Sequence, residues 1–444
     1  MKKAILIMIP ATVSWLVVQN QKRSIAMKFI KAEKIKTINT KTLIVALDIG
    51  KNIHHAYFRA PNGKDIRPFP FYNTSHSFNN FWEKLSRFKE NHMLDEVVVG
   101  FESTGPYAEP ISHYLRKKSV KLVQVNPMHT KRVKELTGNS PGKTDQKDPR
   151  VIADVISLGH SLTVVIPERA VAQLRRLTHA RERAIERRTA MNNQLQDLVF
   201  VIFPEFVSII KPSTKTGMYL INNFSDPKSI VSMGIERLYD IIKKISRGKI
   251  GADRAEKLYN AAIQSIGITE GVESILLEIT HLVSNIENEN RHIKNLEKQM
   301  AVFLEQIPYS HTILSIKGIK HITAAGLIGE VGGFHKFKTI SEVMKLAGLD
   351  LYEISSGKHQ GCRRISKRGR ALLRKLLFFA ALNTTRKNGV FYTPYQRHLA
   401  KGMPPMKALV AISRKLMMVI FALVRDHCIF DIDYSTQIEL KKAA

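Results

Sequence analysis

Apolar and polar positions change their period along the chain, and each change marks a different kind of element. From Thr42 to Ala60 an apolar run, Leu43-Ile44-Val45-Ala46-Leu47, passes through Asp48-Ile49-Gly50 into a second extended segment that ends at the turn Pro61-Asn62-Gly63. Apolar runs bounded by turn residues predict strands, so this segment reads as a hairpin with Asp48 on its first strand. A helix-like stretch over 78–91 precedes Glu96-Val97-Val98-Val99-Gly100-Phe101-Glu102, a buried type of strand that ends in a carboxylate and is stopped by Thr104-Gly105-Pro106. A helix over 108–118, a strand over 120–125, a turn at Asn126-Pro127, a basic helix and a loop over 138–147 follow. Strands alternating with helices after an initial hairpin predict an α/β sheet domain over residues 41–162.

Between 163 and 310 the period lengthens to that of a helix. Ile279, Leu282, Ile286, Glu289, Ile293, Leu296, Met300, Phe303 and Ile307 recur at spacings of 3 and 4, and only Glu289 interrupts the apolar seam. Such a helix spans roughly 43 Å at about 1.5 Å per residue. An earlier helix over 168–202 carries Arg175, Arg176, Arg181, Arg183, Arg187 and Arg188 beside a looser stripe of Leu174, Leu177, Ile185, Leu195 and Ile202. The pair predicts an antiparallel coiled-coil arm or a dimerisation element, with two core helices of a bundle as the alternative. A mainly helical C-terminal domain over 311–430 and a tail over 431–444 complete the chain.

Composition narrows the class of partner. The chain has 444 residues, 44% of them apolar and 24% charged, which is globular composition with room for roughly three domains. Cys362 and Cys428, the two cysteines, lack metal-ligand spacing and exclude a disulfide framework. No apolar run is long enough to span a bilayer. Lys2 and Lys3 precede a mostly apolar run, Ala4 to Val18, which Pro10, Thr12 and Ser14 interrupt and no small-residue cleavage site follows. Residues 1–40 therefore read as an N-terminal extension, with Met1 or Met27 as the start and the cytoplasm as the expected location. The formal charge is +31, from 69 Lys and Arg against 38 Asp and Glu, and an excess of that size calls for a polyanion. From Ile354 to Arg425, 72 residues hold 16 Lys and Arg and no Asp or Glu. Clustered cations without competing carboxylates suit phosphate, and six such contacts would cost on the order of 10³-fold in affinity between low and moderate salt.

Four acids stand where strands end or loops begin: Asp48, Glu102, Asp145 and Asp148. Hard carboxylate oxygens held close together repel one another unless a divalent cation such as Mg²⁺ or Mn²⁺ joins them, and that arrangement serves phosphodiester chemistry. Asp148 also fits a helix N-cap, since Pro149 follows it. The text Leu47-Asp48-Ile49-Gly50-Lys51, Glu102-Ser103-Thr104-Gly105-Pro106-Tyr107 and Lys143-Thr144-Asp145-Gln146-Lys147-Asp148 resembles the DEDD transposases of bacterial insertion sequences, relatives of the Piv-type invertase described as bridge-RNA-guided recombinases. The resemblance covers roughly residues 42–425. It implies an RNase H-like (RuvC-like) catalytic domain over 41–162 in which Asp48, Glu102, Asp145 and Asp148 bind the metal. It departs at Pro149, because the residue before proline avoids helical angles.

The resemblance also implies a C-terminal transposase domain with a serine nucleophile. Its matching text is Ile354-Ser355-Ser356-Gly357, Arg364-Ile365-Ser366-Lys367-Arg368-Gly369 and Leu372-Leu373-Arg374. Ser356, which directly precedes glycine, is the choice over Ser355. A serine among cations is chemically apt, since positive charge stabilises both an alkoxide and a pentavalent phosphate. Lys358, Arg363, Arg364, Lys367, Arg368 and Arg374 are the expected nucleic-acid contacts. Upstream, the segment from Ile316 to Ala325 resembles a helix-hairpin-helix with Lys320 in place of its second glycine, so Lys320 joins that set; a plain packing corner is the alternative. The function implied is a transposase and site-specific recombinase that cuts and rejoins DNA through a serine–DNA intermediate, guided by a small RNA and working as a dimer or tetramer. A RuvC-like junction nuclease without serine chemistry and a non-catalytic nucleic-acid-binding protein are the alternatives.

Overall fold

The computed structural model describes residues 38–102, 105–137, 148–353 and 361–431. They divide into two compact units, and the chain passes from the first to the second near residue 166.

The first unit is a six-stranded sheet with helices on both faces. Along the chain it comprises β1 (Thr42–Ile49), β2 (Ile53–Arg59), β3 (Ile66–Tyr72), α1 (Ser75–Asn91), β4 (Glu96–Glu102), α2 (Glu109–Arg116), β5 (Lys121–Val125), α3 (Pro127–Thr137), α4 (Asp148–Ser157) and β6 (Ser161–Thr163). The strand order is β3-β2-β1-β4-β5-β6. β1 pairs antiparallel with β2 and parallel with β4, and β5 lies parallel to β4. The continuous apolar run of β1 follows from this central place, because both of its faces are covered. Leu43, Val45 and Leu47 pack with Phe78, Phe81 and Leu85 of α1. Ile44 and Ala46 pack with Ile152, Ala153 and Ile156 of α4.

The sequence predicts the hairpin, the strand ending at Glu102 and the helices that follow. It does not predict β3, whose text, Ile66-Arg67-Pro68-Phe69-Pro70-Phe71-Tyr72, carries two prolines. β3 is one edge of the sheet, and β6 is the other. Proline is tolerated on an edge strand where its missing N–H faces away from the ladder, and Pro68 and Pro70, two apart, share one phase.

Gly100 sets how closely α4 approaches the sheet. A Cβ at this position would lie 2.3 Å from Cδ1 of Ile156 and 2.9 Å from Cγ2 of Val123, both in the buried core. Gly100→Ala is therefore expected to cost about 1–3 kcal/mol by overpacking. Adding Ile156→Val, which removes the colliding methyl, should recover part of that loss in urea denaturation.

The second unit is helical and spans residues 167–431 of the described chain: α5 (Arg169–Ile202), α6 (Pro204–Ile209), α7 (Lys215–Asn223), α8 (Pro227–Met233), α9 (Ile235–Ser246), α10 (Ala252–Ile263), α11 (Val272–Glu305), α12 (Ser310–Leu314), α13 (His321–Val331), α14 (Ile340–Ala347), β7 (Leu351–Tyr352), β8 (Arg364–Ile365), α15 (Ala371–Thr384), α16 (Tyr392–Ala400) and α17 (Pro405–Arg425). α5 and α11 run antiparallel within one chain, as Arg181 pairs with Glu297 at 2.7 Å, Arg188 Nη1 donates to Asn290 Oδ1 at 2.9 Å and Gln194 donates to Glu278 at 3.1 Å. Glu289, the break in the apolar seam, accepts two bonds from Arg187, at 2.7 and 3.1 Å. Such half-exposed pairs add little stability, and their effect is on register. Helices α6–α10 pack between the far ends of the pair around Phe203, Phe206, Leu220, Leu238 and Leu258.

The helical stretch and the C-terminal stretch, which the sequence sets apart at residue 310, pack together. Glu330 of α13 is buried, and its Oε1 lies 2.8 Å from Nε2 of His179 on α5. Burial works to raise the Glu330 carboxyl, and His179, Arg370 and Arg175 overcome it, holding the group below the usual range. Burial beside Arg175 pushes the Arg370 guanidinium down to about 10. Arg370 also donates to the Glu330 carbonyl, which ties the start of α15 to α13.

Candidate active site

Register places two of the predicted acids side by side. Leu47 of β1 faces Phe101 of β4 in a parallel pair, so Asp48 and Glu102, one residue further on, sit at the carboxyl ends of neighbouring strands. Side chains alternate along a strand, and both acids fall in the phase of Ala46 and Gly100, on the face that α4 covers. Asp148 is the first residue of α4. The close approach at Gly100 seats that helix and brings its first turn to the same end of the sheet. The open carboxyl end of parallel strands is where α/β folds place ligands.

The charges register one another. Burial raises the Glu102 carboxyl, and the neighbouring carboxylates of Asp48 and Asp148 raise it further. Thr130 Oγ1, which donates to Glu102 Oε2 at 3.2 Å, and Lys134 act the other way. Lys134 forms an ion pair with Asp148 Oδ1, an oxygen closed to solvent. Glu102 and Asp148 thus share one cationic neighbour on α3, and Asp48 adds its charge beside them. All-oxygen donors with excess negative charge fit a hard divalent cation. Among the described residues no three His, Cys, Asp or Glu side chains are grouped at metal-binding distance, and Asp145 lies outside the described residues.

In the second unit, β7 and β8 pair antiparallel, Leu351 with Ile365 and Tyr352 with Arg364. Ser355, Ser356 and Lys358 fall in the chain between these strands, outside the described residues. The base of this ribbon is held largely by main chain. Lys367 N donates to Gly348 O at 3.0 Å, Ser366 N to Asp350 O at 2.9 Å and Arg370 N to Leu346 O at 2.7 Å. A Cβ on Gly369 would stand 2.4 Å from Gly348 N, so these two backbones touch.

Two family profiles match the chain. The DEDD profile of the IS110 type, described as "Transposase", matches residues 45–204, and "Transposase IS116/IS110/IS902 family" matches residues 310–396. The chain belongs to the DEDD transposases of insertion sequences. A 43.6 kDa protein of insertion element IS110 from Streptomyces coelicolor is 23% identical over 404 residues, 90% of this chain and 98% of that protein. The transposase of insertion sequence element IS1111A from Coxiella burnetii is 22% identical over 289 residues, 64% of this chain and 66% of that protein. The sheet of the first unit is accordingly RNase H-like, and the protein is a DNA transposase. Among the described residues no helix is long and apolar enough to cross a membrane.

The transposase sets Asp48, Glu102 and Asp148 at one end of the sheet, near enough for the charges of Asp48 and Asp148 to act on Glu102. Its predicted cations are used in different ways. Lys320, Arg364, Lys367 and Arg368 are exposed. Arg363 pairs with Glu353 at 2.9 Å, just upstream of the acid-free stretch. Arg374 is turned inward, donating to the carbonyls of Ala347 and Gly369, each at 3.0 Å. In the segment resembling a helix-hairpin-helix, Gly318 adopts a φ of +105° and packs against Thr384 of α15, within 3.0 Å of where a Cβ would stand. The glycine there serves a packing corner.

Sequence reasoning missed Thr130, Lys134 and His55. Thr130 and Lys134 are four apart on the helix that follows β5, a spacing that puts both on one face. Nothing local shows that the face meets Glu102. His55 lies directly across from Asp48 in the β1–β2 ladder, while His54 points into the opposite, aromatic core.

Glu102 gives the site a pH signature. Because its folded pKa is raised above the ordinary 4.5, ionising it opposes folding; this cost is absent at low pH and fully present once the pH exceeds the raised value. Without divalent metal, Glu102→Gln should therefore unfold at higher urea concentration than the wild type at pH 7. The difference should vanish near pH 4, and equal midpoints at pH 7 would contradict the electrostatic account.

Proposed function

We propose that the transposase cuts DNA by serine attack, in a reaction that depends on a divalent metal, Mg²⁺ or Mn²⁺, at Asp48, Glu102, Asp145 and Asp148, with Ser356 as the nucleophile. The observation that supports the reading is the electrostatic coupling of Glu102 on β4 to Asp48 on β1 and Asp148 on α4, at one end of the sheet and beside Lys134. Bound there, the metal supplies charge neutralisation and polarisation at the scissile phosphodiester. Thr130 orients the Glu102 carboxylate by its hydrogen bond. Lys134 balances part of the negative charge at Asp148.

In the strand-cutting step, Oγ of Ser356 forms a bond to phosphorus and the bond from phosphorus to the 3′ oxygen breaks. The hydroxyl proton leaves the serine, and the departing oxygen takes up a proton and is released as a 3′-hydroxyl for strand exchange. Arg364, Lys367 and Arg368 neutralise the flanking phosphates. A small guide RNA and assembly into a dimer or tetramer belong to this reading, supported by the sequence resemblance and by the cations of residues 354–425.

The test is a labelled element-end DNA incubated with the full-length protein and Mg²⁺, followed by denaturation and digestion. A peptide containing Ser356 joined to a 5′ phosphate is the expected product. Free 5′-phosphate ends with no adduct would instead identify a nuclease that activates water. Extraction of nucleic acid from the purified protein should yield one discrete RNA; a heterogeneous smear counts against guidance.

A further inference from the structure

The helices packed between the far ends of α5 and α11 form an open cavity of about 730 Å³, far from either group of residues discussed above in sequence and assigned no role by them. Its charged lining is of one sign: Lys211, Lys215, Arg247, Lys249 and Arg254. No carboxylate lines it, and all five cations are exposed, without an ion pair to any described residue. Ile209, Ile245 and Ile250 form an apolar wall, and the hydroxyls of Ser208, Thr214 and Ser246 are turned to the carbonyls of Glu205, Lys211 and Lys243. Five cations converging on one cavity repel one another unless an anion neutralises them. The volume lies in the range of about 300–1,000 Å³ typical of ligand sites and exceeds what a single phosphate group fills. Apolar wall and cations together match a chain that presents sugar and base faces beside regularly spaced negative charges.

We infer that this cavity is a second nucleic-acid site, one that grips the phosphodiester backbone through Lys211, Lys215, Arg247, Lys249 and Arg254. The inference rests on the protein's reading as an enzyme of nucleic acids and adds a binding surface remote in sequence from its chemistry. Backbone interactions of this kind position a strand without reading bases. The site therefore contributes affinity and register to any sequence the transposase holds, and the same chemistry serves DNA or RNA.

The experiment uses the full-length protein with Lys211, Lys215, Lys249 and Arg254 replaced by glutamine and Arg247 by glycine. Glycine suits Arg247, whose φ of +53° strains other residues. Binding of a DNA duplex and of a single-stranded RNA is measured across a salt series. A control variant carries glutamine at Lys228, Lys243, Lys244, Lys294 and Lys298, outside the cavity. For at least one of the two nucleic acids, the salt slope of the cavity variant should be shallower. The expected change is about 0.9 on duplex, or about 0.7 on single strands, for every phosphate that the variant no longer neutralises, with affinity down on the order of tenfold for each at 0.1 M salt. A response to DNA alone or RNA alone identifies the strand that occupies the site. Unchanged slopes for both, or equal losses in the control, overturn the inference. The catalytic reading fails separately, through absence of the serine adduct in wild-type protein, so the two failures are distinguishable.

Discussion

Asp48→Asn should leave the fold and DNA affinity intact and lower strand cleavage on the order of 10³-fold. Asparagine keeps the shape of the side chain and removes its charge. Asp48 lies near the end of β1, where its carboxylate raises that of Glu102, so losing its charge removes that repulsion. Metal-assisted charge neutralisation is worth several kcal/mol at the transition state, and each 1.36 kcal/mol is tenfold in rate. Cleavage is read on labelled element-end DNA with Mg²⁺, and affinity by salt titration of the same DNA. Cleavage within a few-fold of wild type would remove Asp48 from the metal set.

Ser356→Ala should abolish the covalent adduct and reduce cleavage to about 10⁻⁴ of wild type or less, as expected when a nucleophile is deleted. The strands that flank Ser356 in the sequence are anchored by main-chain bonds at Gly348, Asp350 and Leu346, and the substitution touches none of these. Ser355→Ala, one residue earlier, separates the two candidates: loss of the adduct in Ser355→Ala alone would move the nucleophile by one position. Persistence of cleavage in Ser356→Ala, without an adduct, would favour water as the attacking group.

Several features of the first unit were legible because they depend on local pattern. The apolar run of β1 reads as a strand, and the sheet places that strand centrally, with both faces covered. Glu102 reads as a carboxylate at a strand end because Thr104-Gly105-Pro106 stops the strand. What the sequence withheld depends on tertiary placement. Thr130 and Lys134 become part of the site only once α3 is laid against the end of β4. β3 was obscured by Pro68 and Pro70, which argue against an interior strand and are compatible with an edge. Glu289 was visible as a break in an apolar seam, but its partner Arg187 lies 102 positions earlier in the chain. The union of the helical and C-terminal stretches rests on Glu330, which in sequence is one acid near the end of an apolar helix and in the fold meets His179 and Arg370.

The two in-phase prolines of β3 bear on how transposase subunits meet. A sheet border missing two successive amide donors is a poor template for strand addition from another copy, which guards the protein against open-ended stacking. A second copy that packs against this border therefore has to do so through side chains rather than by extending the hydrogen-bonded ladder.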